Sequence, residues 1–366
     1  MLPRHVVEGD PVAAASSASL THTTDVGPGI SRRGRVKAFR YHDAKGKVVR
    51  DAATLSRIRA LAIPPAWTAV WISPDPDSHI QATGRDARGR KQYRYHPKWR
   101  AVRDEAKYHR LVDFCRALPA LREAVERDLA CPCLCKRKVV ATIVALMERA
   151  QLRVGNDEYA RTNGSYGATT LQDHHARFKG DTLELAYRAK GGLDRKIKLT
   201  DKRLTKIVRR CRDLPGQRLF QYVDGDTVRP ITSTDVNEYL REVTGGPFTA
   251  KDYRTWAATL GTAMLLCALE YPTSMRGCKQ CIKQVLTAVA GKLGHTPTVC
   301  RTSYVHPRVL DDFTTGRLAK DLAKQIRRRI GDDVVVCADA ISLDALRAIE
   351  PVVARYLDVA RRRRHA

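Results

Sequence analysis

The sequence predicts an α+β fold, in which a small antiparallel β-sheet domain precedes a mainly α-helical domain that carries a small β-hairpin region. Two observations lead there. Between Arg35 and Trp99 short apolar runs alternate with Gly-rich turns at the period of two that strands require. Beyond that point apolar residues recur at helical spacing, most clearly in KRKVVATIVALMERAQLRV, residues 136–154. At 366 residues and 43% apolar content the chain is long enough to bury two cores.

Taken in order, residues 12–34 are rich in Ala, Ser, Thr and Gly with little hydrophobic periodicity, so 1–34 is expected to be a disordered leader. Structure is expected from Arg35. Two strand-like runs flank a Lys-Gly turn in 35–49, AVWI at 69–72 is a third apolar run, and HIQATGRDARGRKQYRYH at 79–96 reads as two strands joined by a Gly-rich hairpin. These make an N-terminal domain over 35–105, with the helical domain over 106–366. There, Val140, Val144, Met147 and Gln151, flanked by Val139, Ile143, Leu146 and Ala150, give a helix with a wide apolar face that delivers Arg153. Leu183, Leu185 and Tyr187 alternate and GGLD leads into RKIKL, which places Lys190 at a hairpin turn. Asp235 before VNEYLREV, with Glu238 three residues on, marks a helix start. Helices follow over 257–270 and 280–294. Ile282, Val285, Leu286, Val289 and Leu293 line one face of the last, and Gly294 is placed to cap it with His295 at its end.

Lys and Arg number 66 against 39 Asp and Glu, a net charge of +27, which points to a polyanionic partner and a salt-sensitive affinity. No run of about 18 apolar residues and no leucine-rich opening occurs, so neither a membrane span nor a secretory signal is supported and a cytoplasmic protein is expected. The terminal RRRRHA reads as a solvated basic tail that adds to affinity for that polyanion in preference to a nuclear address. Of the ten cysteines, Cys131, Cys133 and Cys135 in CPCLC and the pair Cys278 and Cys281 offer metal-ligand spacing. The two groups are far apart in sequence, and buried or idle thiols with no metal are the expectation.

His295 and Tyr304 stand nine residues apart after the helix that ends at Gly294, and a tyrosine placed that way reads as a nucleophile. Arg153 in LRVGNDEYA, Lys190 in YRAKGGLD and Arg254 in KDYRTW supply cations. Attack of a tyrosine hydroxyl on a phosphodiester builds negative charge on the nonbridging oxygens and expels an alcohol that needs a proton. Two guanidiniums meet the first need with bidentate hydrogen bonds and no metal, a role that suits Arg153 and Arg254. Lys190, an ammonium among other cations and so lowered in pKa, meets the second as general acid, and His295 donates to a phosphate oxygen. The chain has no G-x-x-x-x-G-K-[ST] loop and no clear acidic metal cluster, so no cofactor, ATP or Mg²⁺ is expected. In KQYRYHP a strand places Lys91, Tyr93 and Tyr95 on one face and Gln92 and Arg94 on the other, a combination suited to a DNA groove, with Arg85, Arg88 and Arg90 on phosphates.

The order Arg, Lys, Lys-x-x-Arg, Gly-His-Thr, Tyr resembles the type IB DNA topoisomerases, specifically the short form of poxviruses and many bacteria. IQATGRDARGRKQYRYHPKWR is similar to the DNA-gripping part of that family's N-terminal domain, so the resemblance runs from about Arg35 to Pro307. It implies the same catalytic roles for Arg153, Lys190, Arg254, His295 and Tyr304, and DNA contacts at Gln92, Tyr159 and Lys251. It further implies a 3′-phosphotyrosyl bond that conserves the bond energy, a free 5′ hydroxyl, and swivelling that relaxes supercoils of either sign before resealing. The implied partner is double-stranded DNA, clamped by a monomer that is nucleoid-associated if bacterial. Where the poxvirus enzymes carry lysines after the catalytic arginine, this chain has Asn156 and Glu158, so their target sequence is not implied. A site-specific tyrosine recombinase shares the scheme, but Lys251 stands where that family has its first histidine and QYRYHP is missing there. A non-enzymatic DNA-coating protein explains the charge and not the assembled site.

Overall fold

The computed structural model describes residues 10–36, 38–331, 337 and 341–363, the last four of these by backbone alone. The side chains of the terminal basic run therefore lie outside the described residues. The fold is α+β, in two compact units, Met1–Arg110 and Leu111–Ala366. Among the described residues no helix is long and apolar enough to cross a membrane.

The first unit carries α1 (Pro11–Ser17), α2 (Ala52–Ala60) and five short strands, β1 (Ile30–Arg33), β2 (Arg40–His42), β3 (Thr68–Ile72), β4 (Ile80–Arg85) and β5 (Lys91–Tyr95). The strands form one antiparallel sheet in the order β2-β1-β3-β4-β5. Ile30, Val70, Ile72 and Ala82 of the sheet bury with Ile58 of α2. In the β4–β5 hairpin Thr83 pairs with Tyr93, Gly84 with Gln92 and Arg85 with Lys91, after a break in register between Ile80 and Ala82.

Of the stretch 1–34 expected to be a disordered leader, residues 1–9 lie outside the described residues and the rest carries α1 and β1. Asp10 caps α1 by accepting the Val12 amide at 2.9 Å, with Pro11 in the first turn, a start signal that the low hydrophobicity around it obscures. Ala14 and Ala15 are fully buried with Ala18, Leu20, Trp99 and Ala106. Small side chains pack closely there, so alanines form a core without the apolar bulk that periodicity detects. Asp25 fastens the following segment to the sheet, accepting from Thr83 Oγ1 at 2.8 Å and pairing with Lys91 Nζ at 2.7 Å.

The helix α3 (Pro97–Leu129) is not among the expected elements, although Leu111, Phe114, Leu118, Leu121 and Val125 recur at helical spacing and are buried, and it accommodates Pro119 in its interior. After it come α4 (Lys136–Ala150) and α5 (Asp157–Asn163), then a three-stranded antiparallel sheet of β6 (Ala176–Lys179), β7 (Thr182–Arg188) and β8 (Asp194–Thr200). Next are α6 (Lys202–Arg212) and the hairpin of β9 (Gln221–Asp224) and β10 (Thr227–Pro230). The chain continues through α7 (Ser233–Thr244), α8 (Ala250–Ala268), α9 (Met275–Leu293), α10 (Pro297–Ser303), α11 (Pro307–Thr314), α12 (Lys324–Ile330) and α13 (Leu343–Arg363).

α4 is the central helix: every residue from Lys138 to Met147 is buried, and its Glu148 joins Arg122 of α3 and Arg347 of α13 at 2.6 and 2.9 Å. α7 begins two residues before the expected Asp235. Thr232 is its cap, accepting from the Asp235 amide at 3.2 Å while Asp235 accepts from the Thr232 amide at 2.8 Å, so the reciprocal pair is T-x-x-D. α8 starts at Ala250, ahead of the expected 257, because Asp252 accepts from both the amide and the hydroxyl of the N-cap Thr249, at 2.8 and 3.0 Å, which draws KDYRTW into the helix.

Candidate active site

Each of the five residues expected to be catalytic sits at the end of an element or in its first turns. α4 ends on Gln151, whose left-handed φ of 52° stops the helix and sends the chain into an extended loop bearing Arg153. That loop is fixed from both sides: Arg153 O accepts the Ala168 amide at 2.8 Å and Val154 O the Thr169 amide at 2.7 Å. Gly167 makes this approach possible, since a Cβ there would stand 2.7 Å from Arg153 O. Arg254 lies in the second turn of α8 and is 5% exposed. Its Nη2 donates to Leu293 O at 2.6 Å and its Nη1 to Gln151 O, so one guanidinium ties the ends of α4 and α9 together.

α9 ends on Gly294 with φ 68°, as the sequence predicts, and the His295 amide closes the turn on Ala290 O at 3.1 Å. The short helix α10, capped by Thr296 with Pro297 in its first turn, then carries the chain to Tyr304 at its C-terminal end. It brings the two aromatic rings together, stacked with centroids 4.6 Å apart and planes 15° apart. The Arg254 guanidinium carbon lies 5.7 Å from the centre of the Tyr304 ring, and Arg153 Nη2 donates to Gly294 O at 2.9 Å. Lys190 is exposed in the β7–β8 turn, its ammonium 5.2 Å from the centre of the Tyr159 ring. Arg153, Tyr159, Lys190, Lys251, Arg254 and Tyr304 all line one open cleft of about 230 Å³.

The electrostatics of the cleft are those of an anion site. Burial lowers the pKa of Arg153, an effect that the nearby Tyr304 opposes, and burial followed by the charge of Arg153 lowers that of Arg254 to about 10. Both remain cations at neutral pH. Arg254 Nε is buried without a hydrogen-bond partner, a donor that a phosphate oxygen would satisfy.

His295 is held neutral. Burial first, then the charges of Arg254 and Arg153, push its pKa down to about 4, and neither ring nitrogen has a hydrogen-bond partner. A neutral imidazole still owns one N–H, enough to donate to a phosphate oxygen. Because the folded pKa lies below the ordinary 6.5, the neutral form stabilises the fold above pH 6.5, and that contribution is lost as the pH falls from 6.5 towards 4. An NMR titration of the DNA-free protein should therefore show the His295 ring unprotonated at about pH 6, and a midpoint near the ordinary 6.5 would contradict this environment.

Two residues beside the site carry no signal in the sequence. Arg195 of β8 donates to Lys292 O at 2.9 Å and adds its charge to the surroundings of His295, Arg153 and Arg254. Thr259 of α8 donates to Tyr304 O at 3.3 Å and accepts the His306 amide at 3.1 Å, which fixes the backbone that carries the phenol. One is an arginine in a basic strand and the other a threonine inside an apolar helix, so neither stands out from its neighbours.

The family described as the catalytic core of eukaryotic DNA topoisomerase I matches residues 96–329, which include all five residues. DNA topoisomerase 1B of Acanthamoeba polyphaga mimivirus is 34% identical over 259 residues, covering 69% of this chain and 77% of the viral protein. The chain belongs to the type IB DNA topoisomerase family. The N-terminal domain of bacterial DNA topoisomerase IB matches residues 38–86. Since these matches are all to topoisomerases, the recombinase alternative is not favoured.

In this topoisomerase the residues expected to contact DNA outside the cleft lie on the β4–β5 hairpin. Tyr93 and Tyr95 do share a face, stacked at 5.7 Å with planes 7° apart. Tyr93 is 39% exposed, whereas Tyr95 also packs on the core of Ala14 and Trp99. The three arginines are not equivalent. Arg90 pairs with Asp86 at 2.7 Å, Arg85 donates to Gly89 O at 2.8 Å, and Arg88 is exposed at the turn. Gln92 also donates to Asp86, at 3.0 Å, so Asp86 organises the turn.

Proposed function

We propose that Tyr304 attacks a DNA phosphodiester to form a 3′-phosphotyrosyl link and release a 5′ hydroxyl, which later attacks back to reseal the strand. The observation that carries this reading is the convergence of the Tyr304 phenol, the Arg153 and Arg254 guanidiniums and the Lys190 ammonium on one open cleft, with His295 stacked on the phenol ring. Arg153 and Arg254 take the nonbridging oxygens, His295 gives its N–H to one of them, and Lys190 protonates the leaving 5′ oxygen. The phosphotyrosyl bond conserves the energy of the bond it replaces, so resealing draws on neither ATP nor Mg²⁺. While the strand is open the duplex swivels about the intact strand and relaxes supercoils of both signs.

Relaxation of positively and negatively supercoiled plasmid in excess EDTA without ATP, together with a covalent protein–DNA adduct, tests the reading. Relaxation that depends on added metal or nucleotide would overturn it. The substrate is double-stranded DNA, which we take to be clamped by a monomer, in the cytoplasm and, in a bacterium, at the nucleoid. The hairpin contributes to the grip through Gln92, Tyr93 and Tyr95 and through Arg85, Arg88 and Arg90, and Lys251 and Tyr159 contact DNA at the cleft.

Two kinds of variant separate these contributions. Arg254→Lys keeps the charge but cannot span both carbonyls and a phosphate, so cleavage should slow by about 10²–10³-fold while DNA affinity changes little. Equal effects on binding and cleavage would place Arg254 in DNA holding alone. Tyr93→Ala should weaken binding with little change in its salt dependence, whereas Arg85→Ala or Arg88→Ala should flatten the salt slope by about one unit for each phosphate no longer neutralised. Unchanged affinity in Tyr93→Ala would remove the tyrosine face from the DNA interface.

A further inference from the structure

The connection between α3 and α4 reads CPCLC, and the structure gathers its three cysteines. Cys131 Sγ lies 3.1 Å from Cys133 Sγ and 3.6 Å from Cys135 Sγ, and all three sulfurs fall within 4.8 Å of one another. Of the expectation of buried or idle thiols, the buried half does not hold here: Cys133 is exposed and the other two are half-buried. A metal ion bonded to thiolates at about 2.3 Å in tetrahedral geometry sets its sulfurs about 3.8 Å apart, a separation within the span of this cluster.

The segment is held in place by groups outside it. Pro132 O accepts from Arg210 at 3.3 Å, Leu134 O accepts the Val223 amide at 3.1 Å, and Cys131 O accepts from Lys138. Leu134, 7% exposed, anchors the loop between the second and third sulfurs. Cys135 is the N-cap of α4 but makes no capping hydrogen bond, which leaves its sulfur available beside the positive end of the helix.

A second, independent observation points to negative charge at this place. Lys138 is only 6% exposed and has no carboxylate partner among the described residues. Its ammonium donates to Cys131 O, and a counter-charge at the neighbouring sulfurs would offset the cost of burying it. Three thiolates around a divalent ion carry one net negative charge, and around a monovalent ion two, either of which supplies it.

We propose that Cys131, Cys133 and Cys135 form a binding site for a thiophilic d¹⁰ metal ion, Zn²⁺ or Cu⁺. No fourth histidine, cysteine or carboxylate joins the group among the described residues. The ion is therefore three-coordinate, as suits Cu⁺, or completes a tetrahedron with one ligand from solvent, as suits Zn²⁺. Exposed Cys133 gives it a path of entry. Each thiol releases its proton to solvent as its sulfur ligates, with no change in oxidation state.

The test uses the reduced full-length chain, equilibrated separately with Zn²⁺ and with Cu⁺ under reductant, freed of unbound ion and analysed for metal. One ion per chain is expected in at least one arm, and the arms distinguish the two ions. Substituting Cd²⁺ should give an ultraviolet thiolate-to-metal charge-transfer band. The variant C131S/C133S/C135S, in which serine preserves the cap of α4, should lose the ion and the band and still relax plasmid like the parent. C278S/C281S should retain both. Should the triple variant fail to fold, C133S alone, altered at an exposed position, is expected to weaken affinity at least about tenfold. No bound ion in either arm, or an ion retained by the triple variant, overturns the proposal.

Discussion

Tyr304→Phe is expected to abolish relaxation and the covalent adduct while leaving DNA binding within a few-fold of the parent. The substitution removes one oxygen and its contacts to Arg153 and Arg254. The ring keeps its stack on His295 at 4.6 Å and its place 5.7 Å from the Arg254 guanidinium, and the backbone at 304 stays fixed through the amide bond to Cys300 O and the carbonyl contact to Thr259. The cations that attract the phosphate all remain. Loss of a nucleophile from a site whose other groups depend on it lowers turnover by something on the order of 10⁶-fold, because the remaining groups stabilise a transition state that no longer forms. A denaturing gel of the protein incubated with end-labelled duplex reads the adduct directly. An adduct formed by Tyr304→Phe would assign the nucleophile to another residue.

What the sequence disclosed and what it withheld have physical causes. The face of α4, the alternation in β7 and the Gly294 cap are local patterns, in which burial or backbone conformation is written in consecutive residues. For the same reason Arg153, His295 and Lys190 can be placed at the ends of elements without knowledge of any contact. Their convergence is not local. Arg254 joins Gln151 and Leu293, which lie 103 and 39 residues away, and only the folded chain brings those carbonyls to one guanidinium. Order along the chain stands in for that geometry through the family resemblance.

The differences between sequence and structure follow the same logic. The helix α1 hides because its core is alanine, and α10 hides because it is two turns long, although Thr296-Pro297 is a start signal. The contribution of Arg195 depends on β8 lying beside the end of α9, which no spacing reveals. The thiols of CPCLC read as idle in sequence because Cys278 and Cys281 lie far along the chain from them. A loop pinned through Pro132 and Leu134 gathers the three sulfurs without that pair.

Lys190→Ala is expected to slow cleavage by about 10²–10⁴-fold, the range lost with a general acid, and to recover on a substrate whose bridging 5′ oxygen is replaced by sulfur. The reason lies in the leaving group. An alkoxide departs slowly unless it is protonated as the bond breaks, whereas a thiolate is stable enough to leave unaided. Lys190 occupies the β7–β8 turn, where its exposed side chain lines the cleft with its ammonium 5.2 Å from the Tyr159 ring centre, and the proposed mechanism has it approach the leaving oxygen from there. In the proposed mechanism Arg254 acts on the nonbridging oxygens, whose charge develops whichever atom leaves. Sulfur should therefore restore Lys190→Ala to within about tenfold of the parent, while the defect of Arg254→Ala should largely persist. The contrast between the two variants matters more than either rate, since a general weakening of the site would affect both substrates alike. If sulfur leaves the Lys190→Ala defect intact, Lys190 positions DNA or stabilises charge, and the proton for the leaving oxygen must come from Arg153 or from water.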